Sequence, residues 1–148
     1  MPSSYSKILY HCVFGTKERR AQIHAGVANE LYPYMASILP PEKGRVLKVG
    51  GTKDHVHLLL ELPTNVCIAE AARLLKSNSS RWLNRSGLLV SPFRWQRGFA
   101  AFSVSASAEE SVRSYLERQE HHHAQRGFRE ELVALLDRHG VDYDPVYL

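Results

Sequence analysis

Residues 45–62 read RVLKVGGTKDHVHLLLEL, and this stretch decides the fold. In its second half Val56, Leu58, Leu60 and Leu62 alternate with His55, His57, Leu59 and Glu61. Successive side chains of a strand point to opposite faces, so the period of two predicts a strand over residues 55–62 with an aliphatic face turned to a core. His55 and His57 then share the other face. Ahead of it, residues 45–49 predict a second strand. Gly50-Gly51 and Lys53-Asp54 supply the turn chemistry that joins the two, and Pro63 ends the pair.

Outward from this hairpin, residues 5–14 are rich in β-formers and predict a first strand. Residues 25–39 predict a helix stopped by Pro40-Pro41. On the other side a helix is expected over residues 66–84, where Ile68, Ala71, Ala72, Leu75 and Trp82 fall near one face. Gly87 closes that segment. Residues 93–104 predict a last strand with a loop inside it, around residues 96–98. Ser107-Ala-Glu-Glu110 has the pattern of a capping box and is expected to open a helix running to about His123. A final helix is predicted over residues 128–138, with Gly140 beyond it as a C-terminal cap. The order is β-α-β-β-α-β followed by two helices. The fold class this predicts is α+β: a ferredoxin-like (RRM-like) antiparallel sheet with helices on one face, plus the C-terminal helices. The opposite sheet face would be free to carry a site. No repeat or linker interrupts the pattern, so residues 1–148 are expected to form a single domain.

Composition narrows the function classes. The chain has 148 residues, 44% of them hydrophobic, and a formal charge of +4 from 19 Lys+Arg against 15 Asp+Glu. It shows neither a signal peptide pattern nor an apolar run long enough to span a bilayer, so no membrane role is expected and a cytoplasmic location is. Cys12 and Cys67 lack CxxC spacing, which argues against a disulfide framework or a cysteine-bound zinc. The placement of charge says more than its sum. Residues 71–108 contain no Asp or Glu, yet they hold Arg73, Lys76, Arg81, Arg85, Arg94 and Arg97, interleaved with Trp82, Phe93, Trp95, Phe99 and Phe102. Cations for phosphates and rings for bases suit single-stranded nucleic acid. A solvated basic helix face with its aromatics in the core is the plainer reading of the same residues.

His55-Val56-His57 is a candidate metal grip, because two imidazoles on one strand face can hold one ion. A second His-x-His, His121 to His123, falls on a predicted helix, where positions two apart lie about 200° around the axis and cannot readily share a metal. Tyr115 and Gln119 stand one helical turn apart on one face. A tyrosine so placed is ordinarily a core or boundary residue. Beside a metal it gains another use, because a phenol that attacks a phosphate needs a Lewis acid on that phosphate. The Gln119 amide oxygen is a possible third ligand, and a mixed nitrogen and oxygen site suits Mg²⁺ or Mn²⁺.

Four motifs in order carry a resemblance: His55-Val56-His57, Trp95-Gln96-Arg97-Gly98-Phe99, Ala101-Phe102-Ser103-Val104-Ser105, and Tyr115-x-x-x-Gln119-Glu120-His121-His122. Together they resemble the HUH single-tyrosine transposases of small bacterial insertion sequences and the related REP-associated tyrosine transposases. The resemblance implies a metal-dependent transposase that cuts and rejoins single-stranded DNA next to hairpin ends. It implies Tyr115 as nucleophile, a 5′-phosphotyrosine intermediate, and His55, His57 and Gln119 as ligands of Mg²⁺ or Mn²⁺. It also implies a bacterial cytoplasmic enzyme, either a homodimer with a shared site or a monomer. Contacts to DNA are expected from Arg73, Lys76, Arg81, Arg94, Trp95 and Arg97. No base for the phenol stands out. Two other readings stay open: a non-catalytic module of the same scaffold that binds hairpin DNA or RNA, and a domesticated nuclease that processes host repeats.

Overall fold

The computed structural model describes residues 4–119 and 127–148. Four strands form one sheet: β1 (Leu9–Gly15), β2 (Arg45–Gly51), β3 (His55–Glu61) and β4 (Ala100–Val104). Their order is β2-β3-β1-β4 with every neighbour antiparallel, which is the ferredoxin-like arrangement expected from the element order. Helices α1 (Ala25–Ala36) and α2 (Ile68–Ser86) cover one face. Gly87 ends α2 in a left-handed conformation with φ of 77°, a geometry that costs glycine nothing. On that face Val56, Leu58, Leu60 and Leu62 pack with Cys12 and Phe14 of β1 against Leu31, Met35, Ala72 and Leu75. The alternation read in residues 55–62 therefore has the predicted sense.

Three expectations change. Gly50 and Gly51 lie inside β2, and the turn is confined to residues 52–54. The capping box does not form: the Ser107 hydroxyl pairs with that of Ser105 at 3.0 Å, and α3 (Glu109–Glu117) starts from a single 3-10 turn, Ala106–Ala108, instead. The predicted end of this helix near His123, and the pair His121 and His123 themselves, lie outside the described residues. The strand expected over residues 93–104 narrows to β4, with Trp95 bridging to Thr16 as an isolated pair.

The largest correction concerns the sheet face assigned to the site. It is roofed, not open. Helix α4 (Phe128–Arg138) has the predicted bounds, and its Phe128, Leu132, Leu135 and Leu136 pack with Val13 and Phe102 into a second, smaller core. Helix α3 lies beside it, over β2 and β3. Gly50 sets how close α3 comes, because a Cβ there would stand 2.1 Å from the Leu116 carbonyl oxygen. Gly50 pairs with His57 across the sheet, so this contact holds the residue before Leu116, Tyr115, near the imidazoles. Gly50→Ala must lift α3 off the sheet. The expected cost is about 1–3 kcal/mol, read as a drop in Tm of several degrees in thermal unfolding. An unchanged Tm would disprove the close approach.

Candidate active site

His55 and His57 are both wholly buried at the centre of the molecule. The sheet register puts Gly15 opposite His55 and Val13 opposite His57, so neighbouring side chains on β1 are small enough to leave room for the rings. Phe128 of α4 stacks on His55 with ring centres 4.1 Å apart. One turn further along α4, Glu131 reaches between the two imidazoles. Its Oε1 stands 3.1 Å from Nε2 of His55 and 2.9 Å from Nε2 of His57. Its Oε2 accepts a short hydrogen bond from the hydroxyl of Tyr115. The Tyr115 ring lies edge-on to His57 at 5.7 Å and to His11 at 6.0 Å. One carboxylate thus joins the strand-borne histidines to the phenol of α3.

The far nitrogens are also held. Nδ1 of His55 is 2.8 Å from Asp54 Oδ1 and 3.1 Å from Thr52 Oγ1. Nδ1 of His57 is 2.7 Å from Nε2 of His11 on β1. Burial disfavours charge on His55, but its hydrogen bonds to Asp54 and Glu131 outweigh that and raise its pKa. Burial would likewise raise the Glu131 carboxyl, but hydrogen bonds from His55 and His57, and then that from Tyr115, hold it far below the usual carboxylate range. For His11, burial and the neighbouring His57 push the pKa down to about 3, so this imidazole is neutral.

The donor set fits a divalent cation. Two imidazole nitrogens and a carboxylate oxygen, from His55, His57 and Glu131, lie within 4.8 Å of one another. Two ligands at right angles and about 2.1 Å from an octahedral ion are themselves about 3 Å apart, which matches both Nε2–Oε1 separations. Gln119 is 1% exposed, its Nε2 facing the Tyr115 carbonyl at 3.4 Å. Its Oε1 is the one buried side-chain oxygen or nitrogen without a hydrogen-bond partner among the described residues. An orphaned acceptor of this kind is costly unless a donor or cation meets it.

Sequence reasoning overlooked Glu131 and His11. Both had a signal. Glu131 sits one turn after Phe128 and one before Leu135, on the apolar stripe of α4, where an acid is out of place. His11 falls between Leu9 and Val13 on the inward phase of a strand.

The expected DNA-contacting residues divide. Arg73, Lys76, Arg94, Gln96, Arg97 and Phe99 line a groove of about 470 Å³ between α2 and the segment before β4. Arg81 is exposed on α2 but does not line it. Lys76 donates to the carbonyls of Gln96 and Gly98 at 2.7 and 2.8 Å, so it pins the groove wall. Trp95 forms the buried floor of the groove: it meets Phe14 and Phe93 edge to face in the core and donates its indole N–H to Ser79 Oγ at 2.9 Å. The ring that faces solvent here is Phe99. On the opposite side, a cavity of about 500 Å³ opens beside the phenol, lined by His11, Ser111, Tyr115, Arg118, Arg138 and His139 among others, with no carboxylate among the described residues that line it.

Solved structures share this architecture. A candidate transposase from Deinococcus radiodurans R1 superposes with a TM-score of 0.61 over 80% of this chain and 95% of its own, at 22% identity. A REP-associated tyrosine transposase bound to a REP hairpin gives 0.57 over 80% of this chain and 70% of its own, at 12% identity. These likenesses show the fold, a four-stranded antiparallel sheet of ferredoxin-like order. The chain belongs to the IS200-like transposase family, whose model matches residues 4–119. The transposases for insertion sequence element IS200 of Salmonella typhimurium (strain LT2) and Salmonella typhi are each 26% identical to it over 115 residues, 74% of this chain and 75% of theirs. No described helix is long and apolar enough to cross a membrane.

Proposed function

We propose that the chain cleaves and rejoins single-stranded DNA, with Tyr115 as nucleophile beside a divalent cation held by His55 and His57. The observation that carries this is the shared carboxylate: Glu131 accepts from the Tyr115 hydroxyl on one oxygen and faces both histidine Nε2 atoms with the other. Nucleophile and imidazoles therefore meet within one chain, which favours a site complete in the monomer over one completed by a partner. Glu131 and the unpartnered Oε1 of Gln119 supply the oxygen donors, in keeping with Mg²⁺ or Mn²⁺. Bound there, such an ion would polarise the scissile phosphate and stabilise the charge of the departing oxygen.

The chain's own residues do the rest. Glu131 orients the phenol through their hydrogen bond, and as the Tyr115 Oη–P bond forms the phenolic proton passes to solvent in the adjoining cavity, which returns one to the departing 3′ oxygen. The P–O3′ bond breaks, leaving a 5′-phosphotyrosine and a free 3′-hydroxyl. Attack of a 3′-hydroxyl on that linkage reverses the bond changes and releases the phenol. The phosphodiester is conserved throughout, so no nucleotide cofactor is needed. Arg118, Arg138 and His139 beside the phenol suit the strand entering the site. The groove of Arg73, Arg94 and Arg97, with Phe99 at its edge, suits the phosphates of a hairpin. Incubating the protein with labelled single strands from its own flanking DNA, plus Mn²⁺, should yield a covalent species on a denaturing gel. Hairpin binding with no adduct for any strand and metal would favour the non-catalytic module.

A further inference from the structure

The two histidines of the strand are held at their far nitrogens by different chemistry. His55 has a carboxylate there, Asp54 at 2.8 Å. His57 has another imidazole, with His11 Nε2 2.7 Å from its Nδ1. His11 is 5% exposed on β1, packed edge-on between the rings of Phe102 and Tyr115. One proton must lie between the two nitrogens, and its owner decides what His57 can do. If His11 donates, a neutral His57 carries its own proton on Nε2, the atom that faces Glu131, and that nitrogen has no lone pair for a cation. If His57 donates from Nδ1, its Nε2 lone pair points into the site. Partners on the outer nitrogen of a ligating histidine commonly set its tautomer and ring angle.

We propose that His11 is a positioning residue that accepts the Nδ1 proton of His57 and so fixes the tautomer and ring angle in which His57 binds a divalent cation. This rests on the metal reading above. A neutral acceptor suits its place, since it fixes the tautomer without adding a further negative charge where a phosphate must approach.

The test measures Mn²⁺ binding to the metal-free full chain, by electron paramagnetic resonance, without DNA. His57→Ala serves as the reference and should abolish binding. His11→Leu should weaken it about ten- to a hundredfold. His11→Gln, whose side-chain oxygen can accept the same hydrogen bond, should recover to within about threefold of the unaltered protein. Wild-type affinity in His11→Leu with binding lost in His57→Ala would overturn the role of His11 and leave the metal site standing. Wild-type affinity in His57→Ala would overturn the metal site itself. Equal losses in the Leu and Gln variants would mark His11 as structural only and overturn the proposal. A reading on the unaltered chain needs no variant to fold: with Zn²⁺ bound, long-range ¹H–¹⁵N correlations should show His57 protonated at Nδ1, and protonation at Nε2 would refute it.

Discussion

Tyr115→Phe should abolish the covalent protein–DNA species while leaving hairpin binding intact. The substitution removes one oxygen and keeps the ring. The edge contacts to His11 at 6.0 Å and to His57 at 5.7 Å depend on that ring and persist. What is lost is the hydrogen bond to Glu131 and the oxygen proposed to attack phosphorus. Loss of a hydrogen bond to a charged group costs about 1.5–3 kcal/mol, so Tm should fall by some degrees without unfolding. Strand cleavage should fall at least about a thousandfold, the scale on which removal of a covalent nucleophile acts. Filter binding to a hairpin in EDTA reads the groove around Arg73, Arg94 and Arg97 and should not change. A denaturing gel reads the adduct. An adduct that survives in the phenylalanine variant would mean that another hydroxyl attacks and that Tyr115 merely packs beside the site.

What the sequence could and could not reveal divides along the range of the interactions. The alternation in residues 55–62 is local, and it correctly turned Val56, Leu58, Leu60 and Leu62 to the core and His55 and His57 to the opposite face, but it could not show that this second face is covered. The bounds of α4 were equally legible, since Phe128, Leu132, Leu135 and Leu136 repeat at helical spacing and Gly127 and Gly140 flank them. Where α4 docks was not legible. Its stripe suits any apolar surface, and only the fold shows that it covers the histidines. Glu131 meets His55 and His57 across 76 and 74 residues of chain, a pairing no local pattern can register. The burial of Trp95 was equally hidden from the sequence. A tryptophan among arginines looks like a stacking platform, but its rings fill the core, and the basic groove is built around it. Gln119 occupies an intermediate place. Helical spacing put it near Tyr115, where it is, while the carboxylate facing the imidazoles comes from another helix.

That carboxylate carries the second large effect. Glu131→Gln keeps the shape of the side chain and removes its charge, and it should destabilise the metal-free protein by about 3 kcal/mol, the low end for breaking a buried ion pair by removing one partner. At this chain length the loss corresponds to roughly 6–12 °C in Tm. Its pH dependence follows from the two shifted groups. Glu131 has its pKa lowered in the fold, so its contribution is present above the ordinary carboxylate value of about 4.5 and is lost as pH falls. His55 has its pKa raised, so its contribution is full below about 6.5 and fades as pH rises through the folded value. The difference in Tm between wild type and Glu131→Gln, measured in EDTA, should therefore be largest between about pH 4.5 and 6.5. It should shrink on either side. Among the described residues the groups facing this pair include Asp54 on the far side of His55, the neutral His11 behind His57, and the Tyr115 hydroxyl, and the substitution replaces none of these side chains. A Tm difference that is small or flat across this range would mean that the carboxylate and the imidazoles are not coupled as drawn. Repeating the scan with saturating Mn²⁺ tests the other role of Glu131. A ligand that binds only the folded state raises Tm by an amount that grows with the logarithm of its affinity, so at equal Mn²⁺ the rise should be smaller in the variant. An equal rise would show that Glu131 only neutralises the empty imidazoles and is not a ligand of the cation.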